Sequence, residues 1–160
     1  MAQIKTLGFA ADPKNPLYTT GKYLRTVVGQ LAVSNAGSAA GDIYKIARGL
    51  PIDAQVLAVR LPQGTAQIAG MDDVDFGFYR SDNEAVLDID ALVDGADFAT
   101  AALASGKDLL SADLTKTIGG LLNLGSDNEP AGGVDLCATL KAKPTATGTV
   151  TVFIDLAFTA

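Results

Sequence analysis

Seven aspartates in two groups are the residues whose type and spacing come nearest to a reactive site. Asp72, Asp73 and Asp75 lead into one alternating run, and Asp88, Asp90, Asp94 and Asp97 follow the next. Clustered hard oxygens suit Ca2+, and two facing carboxylates are the machinery of glycoside hydrolysis. The EF-hand pattern with its closing Glu is missing, and only spatial separation decides a carboxylate pair. Aspartates also open turns and cap helices by accepting free backbone N–H groups, and that reading is preferred. No catalytic, cofactor-binding or metal residue is assigned, and no enzyme is expected.

The rest of the inventory narrows the chemistry further. The chain has no histidine, which removes Ser-His-Asp and Cys-His arrangements and the commonest transition-metal ligand. Cys137 is the single cysteine, so no internal disulfide and no Cys-x-x-Cys site exists. It reads as a small neutral filler of a strand, pointing away from Val134, Leu136 and Leu140. Tryptophan is absent, which weakens a sugar-stacking module, although Tyr18, Tyr23, Tyr44 and Tyr79 remain. The small-residue stretch Ser34–Gly41 lacks the Gly-Lys-Ser/Thr of a phosphate loop and reads as a flexible hairpin connection. Arg25, Arg48, Arg60 and Arg80 are dispersed among strand candidates, and Lys141 and Lys143 lie in the last connection. All six read as solvated side chains or inter-subunit salt bridges.

Composition bounds the class. The 160 residues are 48% hydrophobic and 19% charged, with a formal net charge of -6. One domain with a real core is expected. An acidic surface without a basic run repels phosphate, so no nucleic-acid partner is expected. Met1–Ala10 has no secretory apolar stretch. No apolar run reaches the ~18–20 residues of a membrane span. Synthesis in the cytoplasm and no membrane partner are the expectations.

The elements that would position these residues are short strands, read from period-two runs broken by Gly and Pro. Gln3–Phe9 is a first strand candidate, and Asp12-Pro13 and Asn15-Pro16 then hold the chain extended. Residues 1–21 are read as an N-terminal arm and 22–160 as one domain. Tyr23–Val33 follows, with Gly29 marking a bulge. Asp42–Arg48, Asp53–Leu61, Thr65–Ala69, Asp73–Tyr79 and Ala85–Ile89 are the next runs, with Arg80–Glu84 as a hairpin turn. In Asp53–Leu61, Leu57, Val59 and Leu61 share a face. Asp90–Ala104 reads as one or two short helices interrupted at Gly95. Leu110, Leu114, Ile118 and Leu122 repeat every four residues, a helical spacing, with Gly119-Gly120 fraying its end. Val134–Leu140 and Thr149–Phe158 close the chain and are expected to pair with each other. The fold class expected is mainly β: an antiparallel, jelly-roll-like β-sandwich with a short helical insertion around residues 90–122 and an extended N-terminal arm.

The order GDIYKIARGLP, DAQVLAVRL, AQIAGMDDVDFGFYR, AVLDIDALVDGADF resembles a family of small tailed-bacteriophage virion proteins, the capsid decoration or cement proteins. The matching positions are Tyr44–Pro51, Ala54–Leu61, Asp73–Tyr79 and Val86–Asp97, with a weaker likeness in Val134–Leu140 and Gly148–Phe158. The resemblance implies a β-sandwich bound to the outside of an assembled head, on the lattice of the major capsid protein, as a homo-oligomer and often a trimer. It implies a stabilising role and a place on the virion exterior. A phage tail or neck component is the alternative, and a carbohydrate-binding or adhesin-like sandwich a further one. Ile4, Leu7, Phe9, Pro13, Pro16, Leu17 and Tyr18 of the arm are the candidate capsid or subunit contacts.

Overall fold

The computed structural model describes residues 22–62, 67–99, 108–110, 112–113, 115–125 and 127–159. Among the described residues seven strands and one short helix follow in chain order: β1 (Lys22–Val33), β2 (Ile43–Leu50), β3 (Gln55–Arg60), β4 (Val74–Arg80), β5 (Val86–Ala96), α1 (Ile118–Leu122), β6 (Val134–Leu140) and β7 (Gly148–Thr159). They form two antiparallel sheets, ordered β1-β7-β3 and β2-β6-β4-β5. The expected β-sandwich is the observed architecture.

Alternation explains the packing. Val150, Val152, Ile154, Leu156 and Phe158 of β7 face inward and are buried, as are Val134, Leu136, Ala138 and Leu140 of β6. Each successive side chain along a strand points to the opposite face, so these two rows meet across the sandwich. Phe76 and Phe78 of β4 are fully buried between them. Phe76 lies 6.2 Å from the ring of Phe98 in a tilted arrangement, a geometry favoured by the aromatic quadrupole.

Several expectations are corrected. The closing strands do not pair: β6 joins β2 and β4 in one sheet, and β7 joins β1 and β3 in the other. Their connection therefore crosses between sheets instead of forming a hairpin. Gly29 marks no bulge, because all twelve residues of β1 stay in register with β7. Its role is a close approach: a Cβ there would lie 2.7 Å from Ile46 Cγ2 and 3.0 Å from Val152 Cγ2. The bulge falls in β3, between Val56 and Ala58. It lets Val56 face inward on one side and Val59 and Leu61 on the other, so Val56 joins the buried row. No strand covers the described residues 67–69 of the Thr65–Ala69 run. The Ser34–Gly41 connection is tied by its own hydrogen bonds, Ser38 N–H to Ser34 O (2.8 Å) and Ser34 N–H to Ser38 Oγ (3.0 Å).

The largest correction is in the expected helical insertion. Residues 90–96 continue β5. Phe76 pairs with Val93 and Phe78 with Asp88, so two steps along β4 correspond to five along β5. Three extra residues loop out, and the resulting spacing of Leu92, Val93 and Ala96 imitates a helix. Gly95, at φ +67, adopts the left-handed conformation that glycine takes without strain. Of the four-residue repeat, Ile118–Leu122 is the helical part among the described residues. Thr117 caps it, its Oγ1 accepting from Gly120 N–H at 3.1 Å. Gly119 does not fray the helix: its N–H donates to Ile52 O at 2.7 Å, and an added Cβ would stand 3.0 Å from Leu124 O. The glycine lets the helix sit on the turn between β2 and β3.

Candidate functional site: the outer faces of the two sheets

The polar groups that survive folding are concentrated on the outer faces. On the four-stranded sheet, Asp75, Gly77 and Tyr79 of β4 and Asp135, Cys137 and Thr139 of β6 point away from the core and yet are buried. Gly77 explains part of this cover. An added Cβ would be driven into the Asp88 carbonyl oxygen and the Ile89 backbone. The looped-out part of β5 therefore lies directly on the sheet at Gly77, whose register partner is Cys137.

Burying polar groups requires that each find a partner. Tyr79 Oη and Thr139 Oγ1 are 2.8 Å apart. Asp75 accepts from Gly95 N–H at 2.9 Å and pairs with Lys141 Nζ at 3.4 Å. Asp135 is the most heavily bonded group. Its Oδ1 accepts from Ser81 Oγ (2.5 Å) and Gly49 N–H (3.1 Å), and its Oδ2 faces Lys45 Nζ (3.2 Å). Lys45 also bridges to Glu84 at 2.6 Å. One carboxylate thus joins β2, the β4–β5 turn and β6. Burial pushes the Asp135 carboxyl up, but the bonds from Ser81, Gly49 and Lys45 outweigh it and hold it below the usual carboxylate range. The Glu84 hydrogen bond raises Lys45, against a smaller effect of burial, with Asp135 adding to the rise.

These residues, with Arg48, line a shallow depression of about 330 Å³. Lys45, Gly49, Ser81, Glu84 and Asp135 already bond to one another there. The one hydroxyl of the depression, Ser81 Oγ, is held by the Asp135 carboxylate, which is itself bound to Gly49 and Lys45. The Cys137 thiol is pushed up to about 11, first by burial and then by the Asp135 charge, so it stays protonated and unreactive at neutral pH.

The sequence-level acidic groups separate. Asp97 Oδ1 accepts from Ala99 N–H (2.8 Å), a local turn bond of the preferred kind. Asp88 Oδ1 accepts from Asp90 N–H (3.3 Å), and its hydrogen bond with the Asp90 carboxyl raises its pKa, with burial adding to the rise. Among the described residues no three His, Cys, Asp or Glu side chains gather as a metal site. Asp135 and Gly77 carry the most structural consequence on this face. Sequence reasoning passed over both, because their partners are remote in the chain.

The outer face of the three-stranded sheet differs. Thr26 Oγ1 donates to Asp155 Oδ1 at 2.6 Å, and Arg60 Nη2 pairs with Asp155 Oδ2 at 2.5 Å. Around this cluster stand Leu24, 60% exposed, and Val28, 53% exposed. The dispersed arginines resolve in part into ion pairs, Arg60 with Asp155 and Arg80 with Asp82. The arm residues Ile4, Leu7, Phe9, Pro13, Pro16, Leu17 and Tyr18 lie outside the described residues.

No protein-family model and no curated protein sequence matches this chain. Its fold is similar to two solved structures. One is a chain from the cyanophage Pam1 capsid asymmetric unit, at TM-score 0.53 and 14% identity, with 86% of this chain and 84% of that chain covered. The other is a chain from the capsid of Ralstonia phage GP4, at TM-score 0.50 and 16% identity, with 86% and 85% covered. Nearly equal shares of both partners are covered, so the matched chains are of about this chain's own length. At such identities the likeness establishes the shared fold.

Proposed function

We propose that this protein is a virion structural component of a tailed bacteriophage that binds the outside of the capsid as a decoration or cement protein. The observation that carries the reading is the fold likeness, over 86% of this chain, to chains of similar length from two phage capsids. The motif resemblance from Tyr44 to Asp97 points the same way, and the two arguments use different properties of the chain. The outer faces support a non-enzymatic role, because the buried carboxylates Asp75 and Asp135 are spent on internal ties.

The partner in this reading is the lattice of the major capsid protein. The protein sits on it as a homo-oligomer, a trimer being the form that fits quasi-threefold positions, made in the host cytoplasm and carried on the virion exterior. Stabilisation is multivalent: contacts that are individually weak hold adjacent capsomers together because each is made at high effective concentration. The arm, with Ile4, Leu7, Phe9, Pro13, Pro16, Leu17 and Tyr18, is the proposed capsid-contacting or subunit-crossing element. Localisation in a cryo-EM map of the particle tests the role. Hundreds of copies on the head support decoration, whereas a few or a dozen at the neck or tail overturn it. Deleting residues 2–20 should abolish or sharply reduce occupancy, and unchanged occupancy would sink the assignment to the arm.

A further inference from the structure

Among the described residues, strand β1 is an edge strand with no strand paired along its outer side. A strand edge presents a row of unpaired N–H and C=O groups, and proteins normally blunt it with proline, bulges, charges or a covering segment. The other edges are blunted. Strand β3 is six residues long and bulged, and Leu109 N–H bonds to Val59 O beside the Arg60–Asp108 bridge. Strand β2 has two register shifts against β6, and β5 has three against β4. Strand β1 runs twelve residues without a shift, contains no proline, and has no second strand partner among the described residues. Among the described residues, three of the five exposed large hydrophobics, Tyr23, Leu24 and Val28, stand on it.

We infer that β1 pairs antiparallel with β1 of a second copy about a two-fold axis through Thr26, joining two three-stranded sheets into one of six strands. A second strand pairs the whole row of alternating donors and acceptors at once, which favours a β-strand as the occupant. The residue pattern makes it this strand. Leu24 and Val28 each lie two residues from Thr26 on the same face. A two-fold at Thr26 sets Leu24 opposite the partner's Val28 and Val28 opposite the partner's Leu24, covering both. Arg25 then faces the partner's Val27, and Lys22 the partner's Gln30, so no like charges are directly opposed. A two-fold at Arg25 would oppose the two guanidiniums. The contact is isologous, the commonest form of self-association. It specifies part of the self-association in the decoration reading: with threefold oligomers, it links one to the next.

The test is cysteine cross-linking of the purified full chain in solution, which involves no capsid, so its failure is distinguishable from failure of the capsid reading. The native Cys137 is fully buried and does not interfere. Thr26→Cys places two thiols directly opposite, with Cα atoms about 4.5–5.5 Å apart, and should give a disulfide-linked dimer on mild oxidation. Leu24→Cys alone should not, because the two copies of residue 24 are four residues out of register, about 13 Å apart. Mixing Leu24→Cys with Val28→Cys should restore the cross-link, which keeps the test valid if Thr26→Cys disturbs the Asp155 bond. Val28→Lys, at an exposed position, should lower the sedimenting mass with an unchanged circular dichroism spectrum. The inference is overturned if Thr26→Cys and the mixed pair both remain single chains. It is also overturned if Leu24→Cys alone links as well as Thr26→Cys, or if Val28→Lys leaves the sedimenting mass unchanged.

Discussion

Replacing Gly77 by alanine probes how the looped-out part of β5 is held on the sheet. On intrinsic grounds alanine stabilises a strand relative to glycine by about 0.5–1 kcal/mol, because it has less backbone freedom to lose. The site opposes this. The added Cβ would meet the Asp88 carbonyl oxygen and the Ile89 backbone, and backbone cannot rotate aside as a flexible side chain can. Overpacking of this kind costs about 1–3 kcal/mol, and rigid partners put this case at the upper end. The net is about 2 kcal/mol of destabilisation, or a melting temperature lower by about 4–8 °C for a chain of this size. Cys137 supplies a local readout, being the register partner of Gly77, the single thiol, and fully buried. In Gly77→Ala its labelling by a disulfide reagent at neutral pH should speed up about thirtyfold if opening becomes easier by the same 2 kcal/mol. Gly37→Ala is the control, since a Cβ there meets nothing closer than 3.8 Å. If Gly77→Ala melts with the wild type and Cys137 stays as slow to react, the account of the β5 loop is wrong.

Two further perturbations test the remaining ties. Asp135→Asn should cost about 1–3 kcal/mol through the weakened bonds to Ser81, Gly49 and Lys45. Because the Asp135 pKa is depressed in the folded state, its contribution is present above the ordinary carboxylate pKa and is lost as pH falls through the folded value. Urea midpoints should therefore fall less steeply with acid in Asp135→Asn than in the wild type, and equal slopes would contradict the assignment. Gly29→Ala should destabilise by about 1–3 kcal/mol through contact with Ile46 and Val152. Adding Ile46→Ala, which removes both γ carbons that the new Cβ would meet, to Gly29→Ala should recover part of that loss in a double-mutant cycle, and strictly additive effects would argue against the close approach.

Much of the fold was legible because strand periodicity is a local property. The inward row from Val150 to Phe158, the alternating Val74, Phe76 and Phe78, and the turn at Arg80–Glu84 could be read from spacing alone, and all are seen. The absence of histidine and the single cysteine by themselves remove most catalytic arrangements. Sheet partnership depends on remote contacts, so adjacency misled for β6 and β7, which are neighbours in sequence and members of different sheets. Bulges change the count on one strand only. Hence β3 concealed the inward face of Val56, and β5 passed for helix, until their partners were known. Gly77 looks like any strand glycine until the backbone at Asp88 and Ile89 is found against it. Asp135 looks like an ordinary strand aspartate until Lys45, Gly49 and Ser81 converge on it from two other parts of the chain. Residue types and their period determined the class of structure and the poverty of its chemistry. Which polar groups are buried together, and which strand edge is left open, was decided by the tertiary fold, because both are relations between segments far apart in sequence.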